Sequence, residues 1–225
     1  MTTTTLKTAT TSTSQNGKSK SIPYWIAAAV ILWFAISLNA AHSGFFRATP
    51  GQPPLGFLVG IGIPVAVFFL IYTVSTAFRA FIRNLDPVTL TLIQSWRVVG
   101  STFMILYFLD MLPAFFAYPA GLGDMAIGVT APFIALKLLR DTTYGQSRKF
   151  VIWNALGLFD FVVAVATGTL ASGTFGTFFT SDGPTTALMA SLPLAMIPGF
   201  IVPLYILLHI SALIGVGTRR KANAY

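Results

Sequence analysis

The chain has 225 residues, of which 55% are hydrophobic and only 9% are charged, and its formal net charge is +8. A soluble domain carries about 25% charged residues, so this composition excludes an ordinary water-soluble protein. The absence of cysteine excludes disulfides, iron–sulfur clusters and cysteine nucleophiles. A basic balance would indicate nucleic acid in a soluble protein, but here the basic residues lie between apolar runs, and we expect no nucleic-acid partner.

The first 21 residues are rich in Thr and Ser and show no apolar period, which predicts a disordered tail. The apolar run that follows extends from Ile22 to Ala41. It is longer than the core of a signal peptide, about 7–15 residues, and no small-x-small cleavage site follows it. We therefore interpret this run as a retained first membrane helix rather than as a signal peptide.

Six apolar segments have about the 20 residues that a helix needs to cross the hydrocarbon core of a bilayer. They cover residues 23–41, 56–78, 89–112, 124–140, 150–172 and 194–216. The sequence therefore predicts an all-α integral membrane protein, a six-helix transmembrane bundle over residues 22–217 with a basic tail at 218–225. Asp86 and Pro87 are typical of the N-cap and the first residue of the third helix.

The basic residues alternate with the predicted membrane helices. Twelve of the fourteen lie in the N-terminal tail, in the second-to-third and fourth-to-fifth connections, and in the C-terminal tail. Arg47 lies in a connection on the other side, and Arg97 lies within the third segment. The positive-inside rule then predicts cytoplasmic N- and C-termini. We expect a multi-pass protein of the cell membrane, typical of a bacterial inner membrane, with the lipid bilayer as its surroundings.

Three ionisable residues fall at a similar depth within the predicted helices. At about 1.5 Å per residue, Arg97 lies roughly 12 Å from the inner boundary, and Asp160 and His209 lie roughly 15 Å from it. An ionisable group at this depth costs a few kcal/mol unless it is paired or reaches water. We predict that Arg97 pairs with Asp160 and that His209 is their titratable neighbour. The alternatives are an Arg97 side chain that snorkels to the inner surface and a purely structural ion pair.

Three further ionisable residues, Asp110, Asp124 and His42, fall at the outer boundary in this topology. Asp124 follows Gly-Leu-Gly at the predicted start of the fourth helix, where a carboxylate typically caps the helix, so PAGLGD is interpreted as a tight turn. The alternative is an outer mouth in which Asp110 and Asp124 share a divalent cation or a proton. Two carboxylates are a weak metal signal, so we predict no metal.

No cofactor is predicted either. His42 and His209 differ in depth by about 15 Å, which is too much for two axial ligands of one haem iron. The sequence contains no P-loop, no dinucleotide fingerprint, no Gly-x-Ser-x-Gly and no His-Glu-x-x-His. These absences favour a protein that is not an enzyme.

Three functional hypotheses follow from the sequence. The first is transport or permeation of a small solute or ion, with proton coupling through Arg97, Asp160 and His209. The second is a structural or accessory membrane subunit, in which the same residues fix helix packing. The third is a membrane-embedded enzyme acting on a lipid, which requires the three outer residues to converge.

Overall fold

The computed structural model describes residues 23–48, 52–141, 143–174 and 183–222, and it describes side chains as far as Arg219. The tail predicted over residues 1–21 lies outside these ranges. So does Asp182, the first residue of an Asp-Gly-Pro sequence that is typical of a turn. Within the described ranges all regular secondary structure is helical, which confirms the prediction of an all-α fold there.

Eight α-helices follow one another along the described chain: α1 (Tyr24–His42), α2 (Leu55–Val74), α3 (Thr76–Arg83), α4 (Pro87–Ile93), α5 (Ser101–Phe108), α6 (Ala114–Arg140), α7 (Arg148–Leu170) and α8 (Val202–Ala222). Short 3₁₀ helices span Gln94–Gly100, Tyr144–Gln146 and Thr186–Ala190, and a π-helical turn at Ile197–Ile201 leads into α8. Because α8 continues to Ala222, it includes the first part of the predicted basic tail.

Five stretches of the described chain are helical, long and apolar enough to cross a membrane: Tyr24–His42, Leu55–Val74, Ala114–Arg140, Arg148–Leu170 and Ile197–Arg219. Large apolar side chains on their outer faces are exposed, for example Ile31 at 68% and Leu70 at 62%. Exposed apolar surface on this scale is a membrane-contacting surface rather than a water-facing one. The chain is therefore a helical membrane protein.

The third predicted segment, 89–112, is not one uninterrupted α-helix. It consists of α4, the 3₁₀ helix Gln94–Gly100 and α5, which follow each other directly. A 3₁₀ helix has three residues per turn, so residues three apart lie on the same face. Gln94, Arg97 and Gly100 have this spacing, and they are the buried residues of the 3₁₀ helix. The change of helix type thus turns Arg97 inward.

The predicted start of the fourth segment, at residue 124, is wrong. The corresponding helix α6 begins at Ala114, with Pro113 in the N-cap position, and runs through both Pro119 and PAGLGD. The turn before it lies around Asp110, whose φ of 56° places it in the left-handed region. Glycine and proline weaken an isolated helix, but in a membrane bundle neighbouring helices help to satisfy the backbone groups that these residues leave free.

Two of the buried apolar clusters lie towards opposite ends of the bundle. One cluster lies where α5 ends and α6 begins and includes Phe103, Leu112 and Phe116. A second cluster lies near the end of α6 and the start of α7 and includes Leu138 and Phe150. Between these two clusters, α6 and α7 carry a small apolar cluster of Ile127, Ala131 and Trp153 and also the carboxylates of Asp124 and Asp160.

Candidate functional site

Arg97 is the centre of a buried polar network. Its side chain has no exposed surface. Nε donates to Oδ1 of Asp124 at 2.7 Å, and Nη2 donates to Oδ2 of Asp160. Nη1 donates to the carbonyl oxygen of Gly157 at 3.3 Å and lies 3.1 Å from Nε2 of His209. One guanidinium therefore joins α6, α7 and α8 to the 3₁₀ helix that carries it.

The ring of Phe161 lies against the same guanidinium, with its centroid 3.9 Å from Cζ of Arg97. A cation over an aromatic face is attracted by the ring quadrupole, and more strongly when water is absent. Arg97 is thus held by charge, by hydrogen bonds and by a ring, all within the bundle. This arrangement excludes the alternative in which Arg97 snorkels to the inner surface.

The hydrogen bonds determine the tautomer of His209. Nδ2 of Asn154 donates to the carbonyl oxygen of Phe150 at 2.9 Å, which leaves Oδ1 of Asn154 as an acceptor. Nδ1–H of His209, 2.9 Å away, donates to that oxygen. The lone pair on Nε2 then accepts from Arg97. A protonated imidazole would direct an N–H at the guanidinium and bring two positive charges together. His209 is therefore a neutral acceptor that positions Arg97.

Two glycines allow the helices to approach closely enough for these contacts. A Cβ atom at Gly123 would overlap a carboxylate oxygen of Asp160, and one at Gly157 would overlap Nε2 of His209. Small residues on membrane helices let neighbouring backbones approach. At these two positions the absence of a side chain is what makes room for the polar network.

The network carries unbalanced charge. It contains one guanidinium, the two carboxylates of Asp124 and Asp160, and a neutral imidazole, so full ionisation leaves one net negative charge. An uncompensated charge is costly away from water. A proton on one carboxylate, or a bound cation, removes that cost. The side chains of Asp124 and Asp160 have 17% and 11% of their surface exposed, so neither carboxylate is sealed off from a proton or a small cation.

A cavity of about 310 Å³ lies beside the network. Its wall is largely apolar and includes five aromatic rings, those of Phe46, Phe57, Phe103, Phe116 and Phe161. Of the lining residues in the described part of the chain, Asp124 is the only acidic one. At the other end the wall includes Arg47, Ser172 and Thr186, which lie in the segments that follow α1 and α7. The cavity therefore connects the end of the bundle where α1 and α7 finish with a carboxylate of the network.

The structure does not group the residues predicted at the outer mouth. Asp110 is exposed in the turn between α5 and α6, and His42 is exposed as the last residue of α1. Asp124 lies ten residues inside α6, about 15 Å from its start. It is not an N-cap, and it belongs with Arg97 and Asp160. In the ranges that the structure describes, neither Asp110 nor His42 lines the cavity or joins the network.

Within the described residues, no three His, Asp or Glu side chains are placed to hold a metal ion. The local sequence pattern places Asp124 in the wrong group and indicates neither Asn154 nor Phe161 as part of the site. The signal that identifies Asp124 is the length of its helix. If residues 114–140 are taken as one helix, Asp124 falls near the middle of the membrane rather than at its edge.

Fold and site together define a polytopic helical membrane protein with a buried arginine–carboxylate network at the end of a cavity. The chain belongs to the family described as Domain of unknown function (DUF8737), which matches residues 54–216. The matched region begins after α1 and contains every member of the network. No curated protein and no solved structure matches the chain.

Proposed function

We propose that this protein carries a small solute or ion across the membrane, coupled to a proton held by the network around Arg97. The observation that carries the proposal is that Asp124 belongs both to the network and to the wall of the cavity. Its carboxylate accepts a hydrogen bond from Arg97 at 2.7 Å and also lines the cavity. A solute in the cavity and a proton in the network therefore share one electrostatic environment.

The proposal includes six spans in the cell membrane with both termini cytoplasmic. The helical path from Pro87 to Phe108 supports this number. At about 1.5–2.0 Å per residue it is longer than the roughly 30 Å hydrocarbon core. Arg219 near the end of α8 lies within electrostatic reach of Asp86 at the start of α4. These two ends are then on the same side, as the alternation of basic residues requires.

Asp160 is the central proton-binding group in this scheme. Replacing it with Asn leaves Arg97 paired with Asp124, which is a neutral pair. The network then has no excess negative charge, so charge no longer favours the binding of a proton. Asp160→Asn is therefore expected to abolish proton coupling while preserving most of the packing.

The test uses the full chain in proteoliposomes that contain a pH-sensitive dye, with the membrane potential clamped by potassium and valinomycin. Alkali cations, amines, amino acids and sugars are added outside in turn, and the internal pH is followed. The wild type is expected to show solute-dependent proton flux, and Asp160→Asn to show none. Asp110→Asn, an exposed carboxylate outside the network, is the matched control and is expected to retain flux. Flux that survives Asp160→Asn unchanged would remove the coupling role.

One observation favours a structural subunit as the second candidate. Arg97 is fully buried and makes four polar contacts, so the network also serves to join helices. In that case Asp160→Asn lowers thermal stability or complex assembly, and no solute produces proton flux in the wild type. The lipid-enzyme hypothesis lacks its premise, because Asp124 is bound to Arg97 inside α6 and does not converge with Asp110 and His42.

A further inference from the structure

We infer that the cavity binds a small hydrophobic monoamine in its protonated form, with the ammonium at Asp124 and the apolar body among the phenylalanines. This inference rests on the proposed function, because it takes the cavity as the solute site. It adds the chemical class of the solute.

The carboxylate of Asp124 has capacity for a further donor. Arg97 uses Oδ1, and among the described residues no hydrogen bond reaches Oδ2. Gly100, which lies against this carboxylate, presents no side chain to cover it. An ammonium group carries three donors and suits an oxygen of this kind. Hydrogen bonds between charged partners are about twice as strong as neutral ones.

The charge of the site selects a cation. Asp124 and Asp160 together outweigh the single positive charge of Arg97. A monovalent cation brings the network to neutrality, whereas an anion increases the excess. A neutral solute leaves the excess unchanged. A proton also neutralises this excess negative charge, so an amine and a proton are alternative occupants.

The wall of the cavity selects an apolar body. Phe46 stacks on Phe57 with ring centroids 5.1 Å apart, and the rings of Phe103 and Phe116 are 5.2 Å apart. Aromatic faces attract both apolar groups and cations. The volume of about 310 Å³ is at the lower end for ligand sites, which range over roughly 300–1,000 Å³. A small amine with a single ring suits these dimensions.

Arg47 at the opposite end of the cavity limits the number of charges on the ligand. Its guanidinium is positive and exposed. A second ammonium group near it is disfavoured, while water and salt screen its effect on a charge deep in the cavity. A monoamine is therefore preferred to a diamine.

Proton and amine competition makes binding depend on pH. The ionisable groups near Asp124 are Arg97 on the 3₁₀ helix, Asp160 on α7, and Tyr205 and His209 on α8. Protonation of either carboxylate removes the excess negative charge that attracts the ammonium. Affinity for the amine is therefore expected to fall as the pH is lowered.

The binding experiment uses the full chain in lipid nanodiscs and isothermal titration calorimetry with 2-phenylethylamine. The comparison ligands are 2-phenylethanol, phenylacetate and phenylalanine, which keep the ring but are neutral, anionic and zwitterionic. At about pH 8 the amine is still protonated. We expect it to bind roughly tenfold to a hundredfold more tightly than the alcohol, the ratio that one charge-assisted hydrogen bond supplies.

Two variants separate loss of the site from loss of the fold. Asp124→Asn removes the charge that holds the ammonium, with Asp110→Asn as its control. Ala164→Leu adds side-chain volume to the cavity wall at a residue that makes no polar contact with the network. Val162→Leu on the outer face of α7, where Val162 is 63% exposed, is its control. Amine binding is expected to be lost in Asp124→Asn and Ala164→Leu and retained in both controls.

Equal or tighter binding of the alcohol, the anion or the zwitterion would overturn the inference, as would amine binding that survives Ala164→Leu. The proposed function fails separately. Amine binding without solute-dependent proton flux removes transport and leaves the binding site. Proton flux driven by another solute, with no amine binding, removes the amine and leaves transport.

Discussion

Nε of Arg97 donates to Oδ1 of Asp124 at 2.7 Å, and this contact connects the 3₁₀ helix Gln94–Gly100 to the middle of α6. The same guanidinium also serves Asp160. One cation therefore supports two carboxylates. Removing the cation leaves two unpaired acids, whereas removing one acid leaves a neutral pair.

This asymmetry predicts that Arg97→Gln is much more destabilising than Asp160→Asn. Loss of one partner from a buried charge pair typically costs about 3–5 kcal/mol, because the remaining charge is uncompensated. The thermal unfolding of the detergent-solubilised variants measures the difference. Arg47→Gln, an exposed arginine, is the control and is expected to leave stability unchanged. Equal losses for Arg97→Gln and Asp160→Asn would show that Asp124 and Asp160 are not both supported by Arg97.

Removing all three charges is predicted to restore stability. The triple variant Arg97→Gln, Asp124→Asn, Asp160→Asn contains no unpaired ion, and its amides can still exchange hydrogen bonds. Since the three residues are in contact, their effects are not additive. The triple variant is expected to unfold at a higher temperature than Arg97→Gln alone. A triple variant less stable than Arg97→Gln would mean that the destabilisation comes from lost packing of the arginine and not from its charge.

The close approach of α6 to the 3₁₀ helix predicts that Gly128→Ala is destabilising. A Cβ at Gly128 would lie 2.5 Å from the backbone nitrogen of Val98, and backbone cannot move aside as a side chain can. Overpacking of this kind costs about 1–3 kcal/mol. Gly62→Ala in α2 is the matched control, because nothing lies within 4 Å of its Cβ position. That control is expected to gain up to about 1 kcal/mol from helix propensity, and the same thermal unfolding assay reports both.

The tautomer of His209 is predicted to depend on Asn154. Nitrogen-15 NMR of the histidine-labelled protein is expected to show His209 neutral, with the proton on Nδ1. In Asn154→Leu the buried Nδ1–H loses its acceptor, which costs about 1–3 kcal/mol. His42, the other histidine, is exposed at the end of α1 and serves as the internal reference. An Nε2-protonated His209 in the wild type would contradict the assigned direction of the hydrogen bond with Arg97.

Asp86 gives a pH-dependent prediction outside the membrane helices. Partial burial raises the pKa of Asp86, but hydrogen bonds from Thr89 and Val88 lower that pKa by more, so the net shift is downward. A group with a lowered folded-state pKa stabilises the fold above its unfolded pKa of about 3.9 and loses that effect as the pH falls. Asp86→Ala is therefore expected to cost about 1 kcal/mol at neutral pH.

The stability difference between the wild type and Asp86→Ala should shrink as the pH falls below about 4. Asp86→Asn is the matched control, since its amide oxygen can cap the helix but cannot titrate. Paired thermal unfolding curves at several pH values measure the difference. A gap that stays constant down to about pH 3 would contradict the lowered pKa of Asp86.

Some of the site follows directly from the sequence. The rise of a membrane helix is nearly constant, so position along the segment predicts depth. Depth alone placed Arg97, Asp160 and His209 in one layer, and the structure brings their side chains into contact. The prediction that Asp86 caps a helix with Pro87 at its start is confirmed. Capping depends only on neighbouring residues, so the sequence is enough to predict it.

Asp124 shows what depth and local pattern do not decide. A carboxylate after Gly-Leu-Gly is compatible with a helix cap and with the interior of a helix, because the neighbouring residues do not distinguish the two positions. The choice depends on what lies beside Gly121 and Gly123, and these contact Met104 of α5 and Asp160 of α7. Such contacts join distant parts of the chain.

The sequence by itself determined that this is a helical membrane protein with ionisable groups at mid-depth, because hydropathy and helical rise are local properties. Only the tertiary structure decided that two carboxylates share one arginine, that His209 is a neutral acceptor, and that Asp124 borders a cavity. These features depend on which helix faces meet, and that is set by side-chain packing across the bundle.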